Sequence, residues 1–206
     1  MTEIRLKEAS VFYLRLEDVS QLLELCREKG ISVDDLSELP VKRQREKAAE
    51  RLLLCHAFGH PVTLSYTEQG APYVEGSDVN ISISHTMRLV VVALSENHVI
   101  GVDAEQADRQ QVIKVRDKFL NANEKQFIAS NDLAAHIIAW TAKEAIIKAE
   151  RNSALDWTEG ICLEPFTVED IMPDIITLSA RCGNRRYGLT TRRVDGHFLT
   201  LAVACQ

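Results

Sequence analysis

The segment from Leu133 to about Arg151 constrains this 206-residue chain most. It is rich in helix formers, and Asp132 ahead of it has the side chain of an N-cap. At about 100° per residue, Ile138, Ala142, Ala145 and Ala149 fall on one face. Trp140, Glu144 and Lys148, spaced four apart, form the opposite stripe, with Lys143 at its edge and Ile137 and Ile147 close by. On an open helix the Glu and Lys would be a weak surface pair. Flanked by Trp and Ile they are partly desolvated, and such charges favour an ion or a phosphate as partner. The helix alone leaves both readings open.

Upstream, Val90–Leu94 is an apolar, β-branched run, followed by Ser95-Glu-Asn-His98 and then Val99-Ile-Gly-Val102. Two β-rich runs around a short polar turn predict a hairpin, with Asn97 in the left-handed conformation. If the second strand continues to Glu105, Val102 and Ala104 share one face, and Asp103 and Glu105 share the other. The two carboxylates then converge on one cation, a metal or a lysine. An exposed strand end with two solvated acids fits the same spacing. Gly101, with no side chain, lets another group approach the backbone closely.

The remaining pattern predicts an α+β chain of two similar lobes, 1–106 and 107–206. Strands are expected near Ile4–Leu6, Val11–Leu16, Val62–Tyr66 and Val79–Ser84, with helices at Val19–Lys29 and Pro40–Phe58. In the second half, helices are expected near Arg109–Leu120, Asn123–Ser130 and Leu133–Arg151. An antiparallel meander at Ile175–Ala180, Arg186–Thr191 and Phe198–Ala204 follows.

Five scattered cysteines with no C-x-x-C pair argue against a disulfide frame or a zinc site, and point to a reduced cytoplasmic compartment. His56 and His60 are four apart, but Gly59 and Pro61 end the helix between them. No apolar run reaches membrane-spanning length, and the alternating charges of Met1–Lys7 are not those of a signal peptide. A net charge of −6 disfavours nucleic-acid partners.

Gly101-Val-Asp-Ala-Glu105 and Trp140-Thr-Ala-Lys-Glu-Ala-Ile-Ile-Lys148 resemble the two signature blocks of the 4′-phosphopantetheinyl transferase superfamily, G-[IV]-D-x-E and W-[ST]-x-K-E-[AS]-x-x-K. Asn80-Ile-Ser-Ile-Ser-His85 and Phe119-Leu-Asn-Ala-Asn-Glu124 resemble its N-[IV]-S-H and F-x-x-x-E segments. The resemblance spans roughly residues 40–150. It implies the longer, Sfp-type class, a pseudo-dimer with its active site at the seam between lobes. It also implies transfer of phosphopantetheine from coenzyme A to a serine of an acyl or peptidyl carrier protein, with release of adenosine 3′,5′-bisphosphate.

By the same resemblance, Asp103 and Glu105 of the first lobe would meet Glu144 and Lys148 of the second. Asp103, Glu105 and Glu144 would hold Mg²⁺ on the pyrophosphate. Lys143 and Lys148 would bind phosphate oxygens, and Glu144 would take the serine proton, with Glu124 a lesser candidate for holding metal-bound water or activating the serine. Ser84 and His85 would contact the nucleotide 3′-phosphate, joined by a basic residue from the helix upstream, Arg43 or Arg51. A monomer is expected.

Two departures stand out. Gly70-Ala-Pro72 replaces the usual Gly-Lys-Pro, removing one phosphate-binding lysine, and Asn152-Ser-Ala154 replaces a Gly-rich step after the motif helix. The first leaves an alternative, a non-catalytic module that binds coenzyme A or a carrier protein. Because carriers are themselves acidic, docking calls for a local patch, for which Arg116, Lys118 and Lys125 near Phe119 and Phe127 are candidates.

Overall fold

The structure is a computed structural model that describes residues 1–6, 8–168 and 175–205. It is mixed α+β with antiparallel sheets, and its contacts divide it into two compact units, Met1–Asn97 and His98–Gln206.

In the first unit, β1 (Thr2–Arg5), β2 (Ser10–Arg15), β5 (Asn80–His85) and β6 (Leu89–Ser95) form a sheet of order β1-β2-β6-β5. The run Leu89–Ala93 is wholly excluded from water, as a continuous apolar strand should be at a sheet centre. Helix α2 (Val41–Phe58) starts after Pro40 and stops at Gly59, which adopts a left-handed φ of 76°. Its Ala49, Leu53 and Leu54 pack with Phe12, Val90 and Val92 of the sheet. Its Ala48, Leu52 and Cys55 pack with Leu22 and Cys26 of helix α1 (Val19–Glu28). Two short strands, β3 (Leu64–Tyr66) and β4 (Pro72–Val74), pair separately.

In the second unit the order is β7-β11-β10-β9-β8, with β7 at Ile100–Gln106, β8 at Ile161–Leu163, β9 at Ile175–Cys182, β10 at Arg185–Val194 and β11 at His197–Ala204. The expected meander of the last three strands forms, and Asp195-Gly196 turns β10 into β11 with both φ angles positive. Helix α5 (Leu133–Glu150) lies against β7, β11 and β10. Asp132 caps it as expected, its side chain accepting from Ala135 N at 2.9 Å. Arg151 ends it in the left-handed region, the place a glycine would ordinarily take. Between 107 and 132 the chain makes only short turns of helix, α3 (Gln111–Lys114), a 3₁₀ turn at Arg116–Lys118 and α4 (Glu124–Phe127). They stand where two longer helices were expected.

The expected Val90–Glu105 hairpin does not form. A strand has two hydrogen-bonding edges, and those of β6 are taken by β2 and β5. Strand β7 pairs instead with β11, placing Asp103 opposite Thr200 and Glu105 opposite Phe198. Asn97 is not left-handed either. The unit boundary therefore falls after Asn97 and not after residue 106. Asp103, Glu105, Glu144 and Lys148 all lie in the second unit, so the expected seam between the first two and the last two is not what joins them.

Candidate active site

Strand alternation directs Gly101, Asp103 and Glu105 to the face of β7 that α5 covers. Gly101 permits that approach: a Cβ there would stand 1.9 Å from the Ala145 carbonyl oxygen and 2.7 Å from Ala149 N. The crossing at Ala145 and Ala149 brings their neighbours Glu144 and Lys148 to the acidic strand. Lys148 Nζ donates to Asp103 Oδ1 at 2.8 Å and to the Val102 carbonyl at 3.0 Å. Glu105 accepts from the backbone of Gln106 at 2.8 Å and from the Arg109 guanidinium. Trp140, Glu144 and Lys148 keep partial exposure while most of α5 is buried, so the stripe is partly desolvated, as its Trp and Ile flanks predict.

Burial raises the Glu144 carboxyl above the ordinary carboxylate range. Asp103 and Glu105 push it further up, and Lys148 opposes them. Three carboxylates thus share one field. Among the described residues no three acidic, His or Cys side chains converge as a ready metal cluster; Lys148 and Arg109 hold the strand carboxylates instead. The donor chemistry nevertheless suits a hard divalent cation, since all three groups are carboxylates and their mutual repulsion is what such an ion relieves.

Lys143 takes a different place from the phosphate-facing one expected. It is fully buried, and its ammonium donates to Glu124 Oε2 and to the carbonyls of Phe119, Trp157 and Ile161, all within 2.9 Å. Glu124 is equally buried and accepts from the backbone N–H groups of Asn121 and Leu163. Its carboxylate is fully engaged, in contrast to its expected part in proton transfer or metal-water binding. Above this cage Trp140 packs on Phe119 and Trp157, with ring centroids 5.2 Å and 4.8 Å away. Phe119 is wholly buried and Lys125 pairs with Asp117 at 2.7 Å, so of the two aromatics expected in the docking patch only Phe127, half-buried against Phe166, keeps any exposure. Behind the helix, a buried hydroxyl chain joins Thr141, Thr200 and Thr191 through contacts of 2.7 Å and 2.8 Å. It ties α5 to β11 and β10.

The nucleotide-contact candidates lie in the first unit. Ser84 is buried within β5, and His85 at its end is a quarter exposed. Arg43 pairs with Glu46 at 2.7 Å. Arg51 is held by Asp35 at 2.6 Å and by the Ser32 carbonyl. The base that gathers near His85 is instead Lys47, which the sequence reading passed over: both bond to the buried carboxylate of Glu50, Lys47 at 2.8 Å and His85 Nε2 at 2.5 Å. Arg109 in the second unit was likewise missed; its position four residues after Glu105 was the available signal. For Lys47 the signal was its place one helical turn before Glu50.

A family model, described as the 4′-phosphopantetheinyl transferase superfamily, matches residues 99–187. Two curated proteins, each named 4′-phosphopantetheinyl transferase AcpT, from Salmonella typhi and Salmonella typhimurium, are each 27% identical over 149 residues. Those matches cover 66% of this chain and 70% of the relative. The stretch that carries Asp103, Glu105, Glu144 and Lys148 is therefore similar to the 4′-phosphopantetheinyl transferase superfamily.

Proposed function

We propose that the protein is a 4′-phosphopantetheinyl transferase of the Sfp-type, pseudo-dimeric class, a holo-acyl-carrier-protein synthase in activity. It would move phosphopantetheine from coenzyme A to a serine of an acyl or peptidyl carrier protein. The observation that carries this reading is the crossing of β7 and α5, which sets Asp103, Glu105 and Glu144 in one field within the family-matched stretch. Asp103, Glu105 and Glu144 would hold Mg²⁺, whose chemistry is neutralisation of pyrophosphate charge. Glu144 takes the proton of the serine hydroxyl, directly or through water. The serine oxygen bonds to phosphorus as the bond to the departing adenosine 3′,5′-bisphosphate breaks. Lys148, partly exposed, exchanges Asp103 for a phosphate oxygen. In the first unit, Ser84 and His85 are assigned to the nucleotide 3′-phosphate.

The reading includes a reduced, cytoplasmic setting, supported by five cysteines that are all free thiols. It also includes a monomer without nucleic-acid or membrane partners, and the acidic net charge of −6 disfavours a nucleic-acid partner. Incubation with coenzyme A, Mg²⁺ and a panel of apo acyl and peptidyl carriers is expected to add the phosphopantetheine mass to at least one of them. No gain on any carrier, with coenzyme A tightly bound, would establish a non-catalytic binding module instead.

A further inference from the structure

Glu50 lies on α2 with its side chain wholly buried, beneath two partly exposed bases. Its Oε1 bonds to His85 Nε2 at 2.5 Å, and its Oε2 accepts from Lys47 at 2.8 Å, with the Tyr66 hydroxyl at 3.4 Å. A cavity of about 580 Å³ lined in part by Lys47, Glu50, Arg51 and Tyr66 adjoins the cluster. Burial alone would raise the Glu50 carboxyl, but hydrogen bonds from His85 and Lys47 outweigh it and hold the group ionised.

An ionised carboxylate only accepts hydrogen bonds, so His85 Nε2 must carry a hydrogen. The ring nitrogen left for an anion is Nδ1, and Nδ1 can donate only when the ring is doubly protonated. In the neutral ring this tautomer turns a lone pair towards the anion.

We propose that Glu50 is a positioning residue that fixes the His85 tautomer and so makes selectivity for the nucleotide 3′-phosphate depend on protonation of His85. This rests on the transferase reading for its ligand. His85 bonds to Glu50 of α2, and Lys47 of α2 and Tyr66 of β3 meet it at that same carboxylate, while Arg51 is engaged by Asp35. Lys47 is lowered by burial but raised on balance by Glu50 and Tyr66, and burial together with Glu50 raises Tyr66. Both shifts keep Lys47 charged and Tyr66 neutral near neutrality.

Replacing Glu50 by Gln makes a specific change. Lys47 can only donate, so the amide oxygen turns to Lys47 and the amide N–H faces His85 Nε2. Nε2 then accepts, the hydrogen of the neutral ring moves to Nδ1, and a neutral His85 can bind phosphate.

The test measures calorimetric affinities for coenzyme A and 3′-dephospho-coenzyme A between about pH 6.5 and pH 8.5. The phosphate's own titration enters equally in every variant. In the native protein the ratio of the two affinities is expected to fall by about fivefold or more as pH rises. In Glu50→Gln it changes by less than about twofold, and in His85→Gln, with Glu50 intact, it is low and flat. The same slope in native protein and Glu50→Gln, a flat native ratio, or a native-like slope in His85→Gln overturns the inference. The expected pattern without transfer to any carrier sinks the transferase reading and leaves the role of Glu50 standing. Binding of neither ligand removes both.

Discussion

Glu144 and Lys143 are adjacent in sequence, yet the fold gives them opposite duties. The Glu144 carboxyl is raised in the folded chain, first by burial and then by Asp103 and Glu105. Its contribution to stability is therefore present in acid and lost as pH rises through the folded value. Glu144→Gln removes that loss. The variant is expected to melt a few degrees above the native protein near about pH 7.5, to match it in acid, and to transfer no phosphopantetheine. A lower melting temperature at neutral pH would show that Glu144 stabilises the site. Lys143→Met leaves the buried Glu124 carboxylate without a counter-charge and is expected to cost about 3–5 kcal/mol in urea unfolding. Adding Glu124→Leu recovers only part of it, because the Phe119, Trp157 and Ile161 carbonyls still lose their donor. Lys148→Ala, at a partly exposed position, is expected to cost under about 1 kcal/mol yet to slow transfer by about a hundredfold or more. Equal stability losses at the two lysines would merge roles that the structure separates. Sequence could not separate them, because the carbonyls that enclose Lys143 come from residues 14 to 24 positions away.

The crossing of α5 over β7 is the element on which the site is built, and Gly101 is its narrowest point. A methyl at Gly101 would lie 1.9 Å from a helix carbonyl, which backbone cannot yield by a rotamer change. Gly101→Ala is expected to cost about 1–3 kcal/mol or more and to reduce transfer, because Glu144 and Lys148 move with the helix. Gly188→Ala on β10 meets nothing within 4 Å and serves as the control, with native stability and transfer expected. Native stability in Gly101→Ala would mean the helix does not sit where the crossing puts it. Much of this element was legible. The two-residue period of β7, the Asp132 cap and the close approach at Gly101 are local signals, and each is present in the structure. The partner of β7 was not legible: Asp103 pairs with Thr200 across nearly a hundred residues of chain, and no turn chemistry announces so distant a pairing. The nearer β6 looked like the partner only because its own edges, filled by β2 and β5, are invisible in the sequence.

At the scale of the whole molecule, charge bears on the proposed partner. The chain carries 24 basic and 30 acidic side chains, and the carrier expected of its substrate class is itself acidic. Long-range approach is then opposed, and only short-range contacts can overcome it. The basic segment foreseen for that task is weaker than its composition suggested, since Phe119 is buried in the core and Lys125 is neutralised by Asp117. The sequence showed the charges but not the pairing, which depends on how the short 3₁₀ turn at Arg116–Lys118 presents Asp117 to α4. Raising salt from about 10 mM to about 150 mM shortens the reach of charge from roughly 30 Å to roughly 8 Å and should screen repulsion more than attraction. The KM for an acidic apo carrier is therefore expected to fall or stay level over that range, with kcat unchanged. A steep rise in KM would instead reveal a local basic dock strong enough to outweigh the net charge. Charge reversal at Arg116 and Lys118 would then identify it: reversal that raises KM at low salt alone places the carrier on that turn, and reversal without effect places it elsewhere.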